Sequence, residues 1–330
     1  MSWKNKTVLV TGAAGFIGSH LCEDLAARGA RVRAFVRYTG GGAIGSLRYL
    51  PPELLGTVDI YRGDLRDFHA VKAAMAGCRY VFHLGALIAI PYSYRHPAET
   101  AEVNVMGTLN VLMAARDIGV RRLIHTSTSE VYGTGEYVPI DEAHPLKAQS
   151  PYSASKIGAD KLADSFFASF DLPVVTVRPF NTYGPRQSAR AVIPTIAMQA
   201  LTRDTVRLGS LTPKRDFTYV KDTSAGFIAA AEAPDSVHGE VINLGTGQAH
   251  TVEDTARRII RLAGGKARIV ADRQRVRPRK SEVMRLLADN RKAARLLGWK
   301  PRYGFDQGLK LTVDWIQEHV DQYRIDEYNL

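Results

Sequence analysis

Tyr152-Ser153-Ala154-Ser155-Lys156 sets a phenol and an ammonium one helical turn apart, close enough for the lysine to stabilise a phenolate. A tyrosine so tuned is a base for removing a hydroxyl proton at neutral pH. The pentad alone recurs by chance on many helices, and two companions give it meaning. Upstream lies Ser127-Thr128-Ser129-Glu130-Val131-Tyr132-Gly133, which offers Thr128 and Ser129 as hydrogen-bonding hydroxyls and Glu130 as a carboxylate. A simple alcohol oxidation needs no such carboxylate, so Glu130 narrows the chemistry. Near the start, Thr11-Gly12-Ala13-Ala14-Gly15-Phe16-Ile17-Gly18 can bring backbone N–H groups against the pyrophosphate of a dinucleotide.

These groups need a scaffold that delivers them to one place. Thr7 to Val10 reads as a buried strand, the glycines as a tight turn, and His20 to Ala27 as a helix with Leu21 and Leu25 on one side. Further strands are expected at 32–36, 57–61, 80–84, 122–127 and 174–178, separated by segments with helical apolar spacing. The alternation predicts an α/β fold, a Rossmann-type doubly wound parallel sheet with ligands at the C-terminal ends of its strands. Leu123 to Ser127 ends one strand, so Thr128, Ser129 and Glu130 reach the edge that the glycine turn also faces. Residues 1–180 are assigned to this dinucleotide-binding unit and 181–330 to a smaller C-terminal α/β lobe, with elements free to cross between them. In that lobe, short strands are expected near 206–208, 241–244 and 267–270. Helices are expected near 192–202, 222–232, 252–263, 289–297 and 305–319.

Composition fits an ordinary globular enzyme: 330 residues, 45% hydrophobic and 23% charged. The beginning lacks the apolar stretch of a signal peptide, and no segment approaches about 18 uninterrupted apolar residues, so a cytoplasmic protein without a membrane span is expected. Cys22 and Cys78 are read as small hydrophobes, and no metal is expected. The net charge of +11 comes largely from the region between Arg257 and Arg302. It carries no aromatic interleaving or reading motif, which argues for a solvated basic face and against nucleic acid.

The motifs resemble those of the extended short-chain dehydrogenase/reductases acting on nucleotide sugars. The resemblance rests on the glycine turn, Arg62-Gly63-Asp64-Leu65, Asn104-Val105-Met106-Gly107-Thr108, the Ser127 to Gly133 stretch, Tyr152 with Lys156, and Arg178-Pro179-Phe180-Asn181-Thr182-Tyr183-Gly184-Pro185. Within that family Ser-Thr-Ser-Glu-Val-Tyr-Gly is similar to the 4,6-dehydratases. Pro139 to Glu142, Ser150 to Asp160 and Pro179 to Thr195 look closest to dehydratases of legionaminic-acid-type pathways, which act on N-acetylglucosamine nucleotides.

The resemblance implies a tightly bound NAD or NADP on Gly12, Gly15, Phe16, Ile17 and Gly18, with Asp64 and Leu65 at the adenine. Arg37, at the end of the second strand, can meet a 2′-phosphate, stack on adenine or face solvent, which leaves NAD and NADP both open. Thr128 would bind the sugar, Tyr152 and Lys156 would run the redox step, and Asn181, Arg215 and Arg277 would bind the nucleotide diphosphate. Many relatives carry Asp where this chain has Ser129, so the acid that protonates the leaving hydroxyl is open. A 4-epimerase would not need Glu130, whereas a hexuronate decarboxylase shares Ser-Thr-Ser-Glu-Val-Tyr-Gly but usually departs at Tyr152 to Gly158. A regulatory protein on a retired scaffold is disfavoured by intact Tyr152, Lys156 and Glu130. A homodimer is expected too, because the helix at about 98–116 (Val103, Leu109, Val111, Leu112) and the one from Tyr152 (Leu162, Phe166, Phe167) carry surplus apolar surface. Family members pair these two helices into a four-helix bundle.

Overall fold

A computed structural model describes residues 2–272, 275 and 280–323. Six strands alternate with helices through the first half: β1 (Thr7–Thr11), β2 (Arg31–Arg37), β3 (Asp59–Gly63), β4 (Tyr80–His83), β5 (Arg122–Thr126) and β6 (Val174–Pro179). Six more follow: β7 (Asn181–Tyr183), β8 (Thr205–Leu208), β9 (Lys214–Tyr219), β10 (Val241–Leu244), β11 (Ala249–Thr251) and β12 (Arg268–Ala271). The large sheet is wholly parallel, in the order β3-β2-β1-β4-β5-β6-β10. Its direction of winding reverses between β1 and β4, and that reversal opens the crevice in which such sheets bind ligands.

The chain after residue 180 contributes to both layers. Strand β10 pairs with β6, and the helix Val220–Glu232 puts Phe227, Ile228, Ala230 and Ala231 into the same core as Val8, Val10, Leu21 and Leu25. The smaller lobe keeps a three-stranded sheet, β11-β9-β7, and a two-stranded one, β12-β8. Its core is formed by helices Val192–Thr202, Val252–Leu262 and Phe305–Glu318. The helix expected at 98–116 is three pieces: α-helix Pro97–Ala101, one π-helical stretch Glu102–Met106, and α-helix Gly107–Ile118. Among the described residues no helix is long and apolar enough to cross a membrane.

Arg122 ties the large sheet to the end of helix Val220–Glu232 that covers it. From the start of β5 its buried guanidinium donates to the carbonyls of Ala230, Ala231, Ala233 and Pro234 and to the Asp235 carboxylate, at 2.6 to 3.3 Å. A cation at a helix C-terminus satisfies carbonyls that have no partner in the helix and opposes its dipole. Arg122→Met should cost at least the about 1.5–3 kcal/mol of one charge-assisted hydrogen bond. A urea-unfolding midpoint equal to wild type would show that the strap carries no stability.

Candidate active site

The glycine turn is closed by sterics. Gly12 has φ +67°, and a Cβ there would lie 2.8 Å from the Leu84 carbonyl carbon and the Gly85 nitrogen. A Cβ on Gly18 would lie 2.3 Å from the Gly12 oxygen. Helix Phe16–Ala27 starts four residues earlier than expected, behind Gly15 as N-cap, with no capping side chain and no acidic residue in its first turn. Its leading N–H groups therefore remain available to an anion, as a bound dinucleotide pyrophosphate requires. A cavity of about 560 Å³ opens there, walled by Gly15, Phe16, Ser46, Ile88, Arg186 and Thr195 among others. Tyr152, Lys156 and Glu130 are not in its walls.

Behind the turn runs a directed chain of buried hydrogen bonds. Thr108 Oγ1 donates to the Asn104 carbonyl at 2.6 Å, so it can only accept from His83 Nε2, at 3.0 Å. His83 Nδ1 must then accept from Thr11 Oγ1 at 2.8 Å, and that oxygen accepts from the Gly85 N–H at 3.1 Å. Burial, with His125 and Lys156 nearby, holds His83 well below its ordinary pKa and keeps it neutral, as this sequence of bonds demands. Asn104 continues the connection. Its amide nitrogen donates to the Leu87 carbonyl and to Ser155 Oγ at 2.9 Å, and its oxygen accepts from the Leu87 N–H at 2.7 Å. The π-helical stretch carries Asn104, and Ser155 lies between the two members of the Tyr-Lys pair.

Helix Pro151–Phe170 begins on a capping box: Ser150 Oγ accepts from the Ser153 N–H at 3.1 Å, and Ser153 Oγ accepts from the Ser150 N–H at 3.0 Å. That fixes Tyr152 in the first turn, 7% exposed, with its phenol near the Thr128 hydroxyl. Burial pushes the phenol up from its ordinary range, the Thr128 hydroxyl opposes this, and the charges of Glu130 and Asp160 add to it. Lys156, 3% exposed, is brought down to about 8 by burial, against the field of Asp160. Thr128 caps the short helix Ser129–Tyr132, accepting from the Glu130 N–H at 3.2 Å. Ser129 is buried and Glu130 half-buried.

The remaining expected contacts are distributed differently. Arg37 ends β2, 63% exposed in its side chain and 3.8 Å from Glu99. Asp64 accepts from the Arg66 backbone and guanidinium at 2.7 to 3.0 Å, which holds its carboxyl below the ordinary range. Leu65 packs in the core, where a Cβ on Gly85 would meet it at 2.6 Å. Asn181 is half-buried on β7, and Arg215, on β9, pairs with Glu282 at 3.2 Å. Arg277 lies outside the described residues.

Sequence reasoning missed the roles of five residues close to the pair. Asp160 lies one turn beyond Lys156 and is buried. It accepts from His125 at 3.1 Å, Ser127 at 2.7 Å and Arg178 at 2.9 Å. The fifth, His83, carries the chain to the glycine turn. For Asp160 a signal existed: Tyr152, Lys156 and Asp160 repeat every four residues along one stripe.

A parallel sheet with a glycine turn at its switch point and a Tyr-Lys pair at its C-terminal edge defines an extended short-chain dehydrogenase/reductase. A family model described as GDP-mannose 4,6 dehydratase matches residues 9–312, and the chain belongs to that family. It is 34% identical to the dTDP-glucose 4,6-dehydratase of Streptomyces antibioticus, over 94% of this chain and 92% of the relative. It is 32% identical to the UDP-glucose 4-epimerase of Mycolicibacterium smegmatis, over 94% and 98%. The dTDP-glucose 4,6-dehydratase of Streptomyces venezuelae, solved with NAD bound, superposes with a TM-score of 0.84 at 30% identity, covering 96% of this chain and 99% of that one. Dehydratases, epimerases and a decarboxylase all occur among the relatives, so membership fixes the enzyme class and leaves the particular reaction to the site.

Proposed function

We propose that the protein is a nucleotide-sugar 4,6-dehydratase with a tightly held NAD(P), converting an NDP-hexose, such as an N-acetylglucosamine nucleotide, to the 4-keto-6-deoxy sugar. The observation that carries this reading is Glu130, a carboxylate whose charge is felt at Tyr152 and whose backbone is fixed by Thr128. The nicotinamide supplies an acceptor for the C4 hydrogen and a donor to C6, ending oxidised as it began. Thr128 holds the sugar hydroxyl, and Tyr152 takes its proton while Lys156 supplies the compensating charge. The C4 ketone acidifies the C5 proton, which Glu130 removes as the C6 hydroxyl leaves. The departing oxygen takes its proton either from Glu130, serving both steps, or from a water held by Ser129. Gly12, Gly15, Phe16, Ile17 and Gly18 would cradle the cofactor and Asp64 and Leu65 would border its adenine, while Arg37 would meet the 2′-phosphate of NADP or, with NAD, stack on adenine or face solvent. Asn181, Arg215 and Arg277 take the nucleotide diphosphate.

Incubation with UDP-, GDP-, CDP- and dTDP-sugars tests the reading by product mass. Loss of water supports it, loss of carbon dioxide replaces it with decarboxylation, and an isomer of unchanged mass replaces it with 4-epimerisation. Because the cycle is redox-neutral, protein purified without added cofactor should release NAD or NADP on denaturation, and the species released decides the role of Arg37. An empty protein that turns over only with excess cofactor would contradict tight binding.

A homodimer belongs to the same proposal. Val111, Leu112 and Phe166 are buried in the core, which leaves a narrower face than the sequence suggested. That face holds half-buried Val103, Leu109 and Leu162 and exposed Met106 and Phe170, whereas half-buried Phe167 packs on Gly239 within the subunit. Light scattering at micromolar concentration should give twice the chain mass, and a monomer would refute the pairing.

A further inference from the structure

We propose that Asp160 is the positioning residue of the redox pair: it keeps Lys156 charged beside Tyr152 by acting as the shared counter-ion of the two buried cations behind the phenol, Lys156 and Arg178. The proposal rests on the reading of Tyr152 and Lys156 as that pair. Tyr152, Lys156 and Asp160 follow one another at four-residue spacing along the buried face of helix Pro151–Phe170. Asp160 is 1% exposed, and four donor contacts fix its carboxylate. Oδ1 accepts from His125 Nε2 at 3.1 Å, while Oδ2 accepts from Ser127 Oγ at 2.7 Å and from Arg178 Nη2 and Nε at 2.9 and 3.3 Å. Strands β5 and β6 thus hold one carboxylate against the catalytic helix. Its direct ion pair is with Arg178, and its field reaches back one turn to Lys156.

The charges that face Lys156 leave a specific deficit. His125 gives its Nε2 proton to Asp160, its Nδ1 has no partner, and burial followed by Lys156 lowers its pKa, so it is neutral. His83 is neutral as well. On the far side Arg178 Nη1 donates to Tyr132 Oη at 2.9 Å, and that phenol, pushed up to about 12 by burial, donates to Asn243 at 2.7 Å. The Asn243 N–H donates to Glu142 at 2.8 Å, which ends the network in a second, more distant carboxylate. Apart from half-buried Glu130, two cations and one anion remain behind Tyr152, and the phenolate is the charge that balances them. Without Asp160, burial acts on Lys156 unopposed, and the lysine sheds its proton at a lower pH, so less of the charge that balances the phenolate remains.

Carbon-13 at lysine Cε reports each lysine's charge, and the Lys156 signal is assigned by its disappearance in Lys156→Arg. In the protein as purified, Lys156 should titrate below the ordinary lysine range. Asp160→Asn should lower that midpoint by about one pH unit or more, and Asp160→Glu should restore most of it. A midpoint unmoved in folded Asp160→Asn overturns the proposal. Should that variant not fold, Ser127→Ala removes one donor and leaves the carboxylate charged, so the midpoint should hold or rise; a fall would overturn the proposal equally. The readout uses no sugar. A wild type that dehydrates nothing would therefore end the reaction assignment while this test still stood.

Discussion

Glu130→Gln is expected to stop the reaction after its first half. The substitution keeps the size of the side chain and most of its hydrogen bonds and removes only the base, so Tyr152 and Lys156 can still support oxidation at C4. Loss of a positioned general base costs about 10²–10⁴ in rate. Mixing the variant with the wild-type substrate should therefore raise the near-ultraviolet absorbance of the reduced nicotinamide and yield almost no 4-keto-6-deoxy product. Tyr152→Phe should give neither signal, because its lesion comes earlier. If Glu130→Gln turned over at the wild-type rate, dehydration would be untenable and a reaction that uses Tyr152 alone, 4-epimerisation, would take its place.

Gly12→Ala should yield a protein that purifies without nicotinamide cofactor and unfolds more easily. Alanine at φ +67° costs about 1–2 kcal/mol, and forcing its methyl against Leu84 and Gly85 costs about 1–3 more. Relief can come only by separating the turn from the strand end, which moves the N–H groups meant for the pyrophosphate. Gly15→Ala is the comparison. Its Cβ meets only the Gly12 oxygen, at 3.2 Å, so near-normal folding is expected there. A Gly12→Ala protein with full cofactor content and wild-type melting would show that the tight approach has no consequence.

The central strands were legible because β-branched runs such as Thr7 to Val10 and Val174 to Val177 can only be buried on both faces. Strand β9 was not. Its residues, Lys214-Arg215-Asp216-Phe217-Thr218-Tyr219, mix charge with aromatics, and the strand exists because Asp216 accepts from Thr246, Gly247 and Ala288 far along the chain. The π-helical stretch escaped for a different reason. One wide turn leaves apolar spacing nearly intact, and what selects it is the pairing of Asn104 with Leu87 and Ser155. At the site, Tyr152, Lys156 and Thr128 announced themselves by local spacing, whereas Asp160 read as one more helix charge. Its burial is decided by β5 and β6, about which the helix sequence carries no information. Arg37, Asp64 and Arg215 show the converse, since each was legible as a ligand contact and each has a protein partner as well.

The return of β10 to the large sheet sets a schedule for the growing chain. When residue 180 leaves the ribosome, six strands of the sheet exist, yet β6 has an open edge and the face that helix Val220–Glu232 will cover, with Val175 and Val177 on it, is bare. An open edge beside an apolar face invites pairing with another nascent copy. The dinucleotide-binding half therefore cannot mature as the first 180 residues of a sequential fold. It must wait for Leu244, so the smaller lobe's first strands are made before the larger layer is closed, and the cofactor meets a finished crevice only late in synthesis.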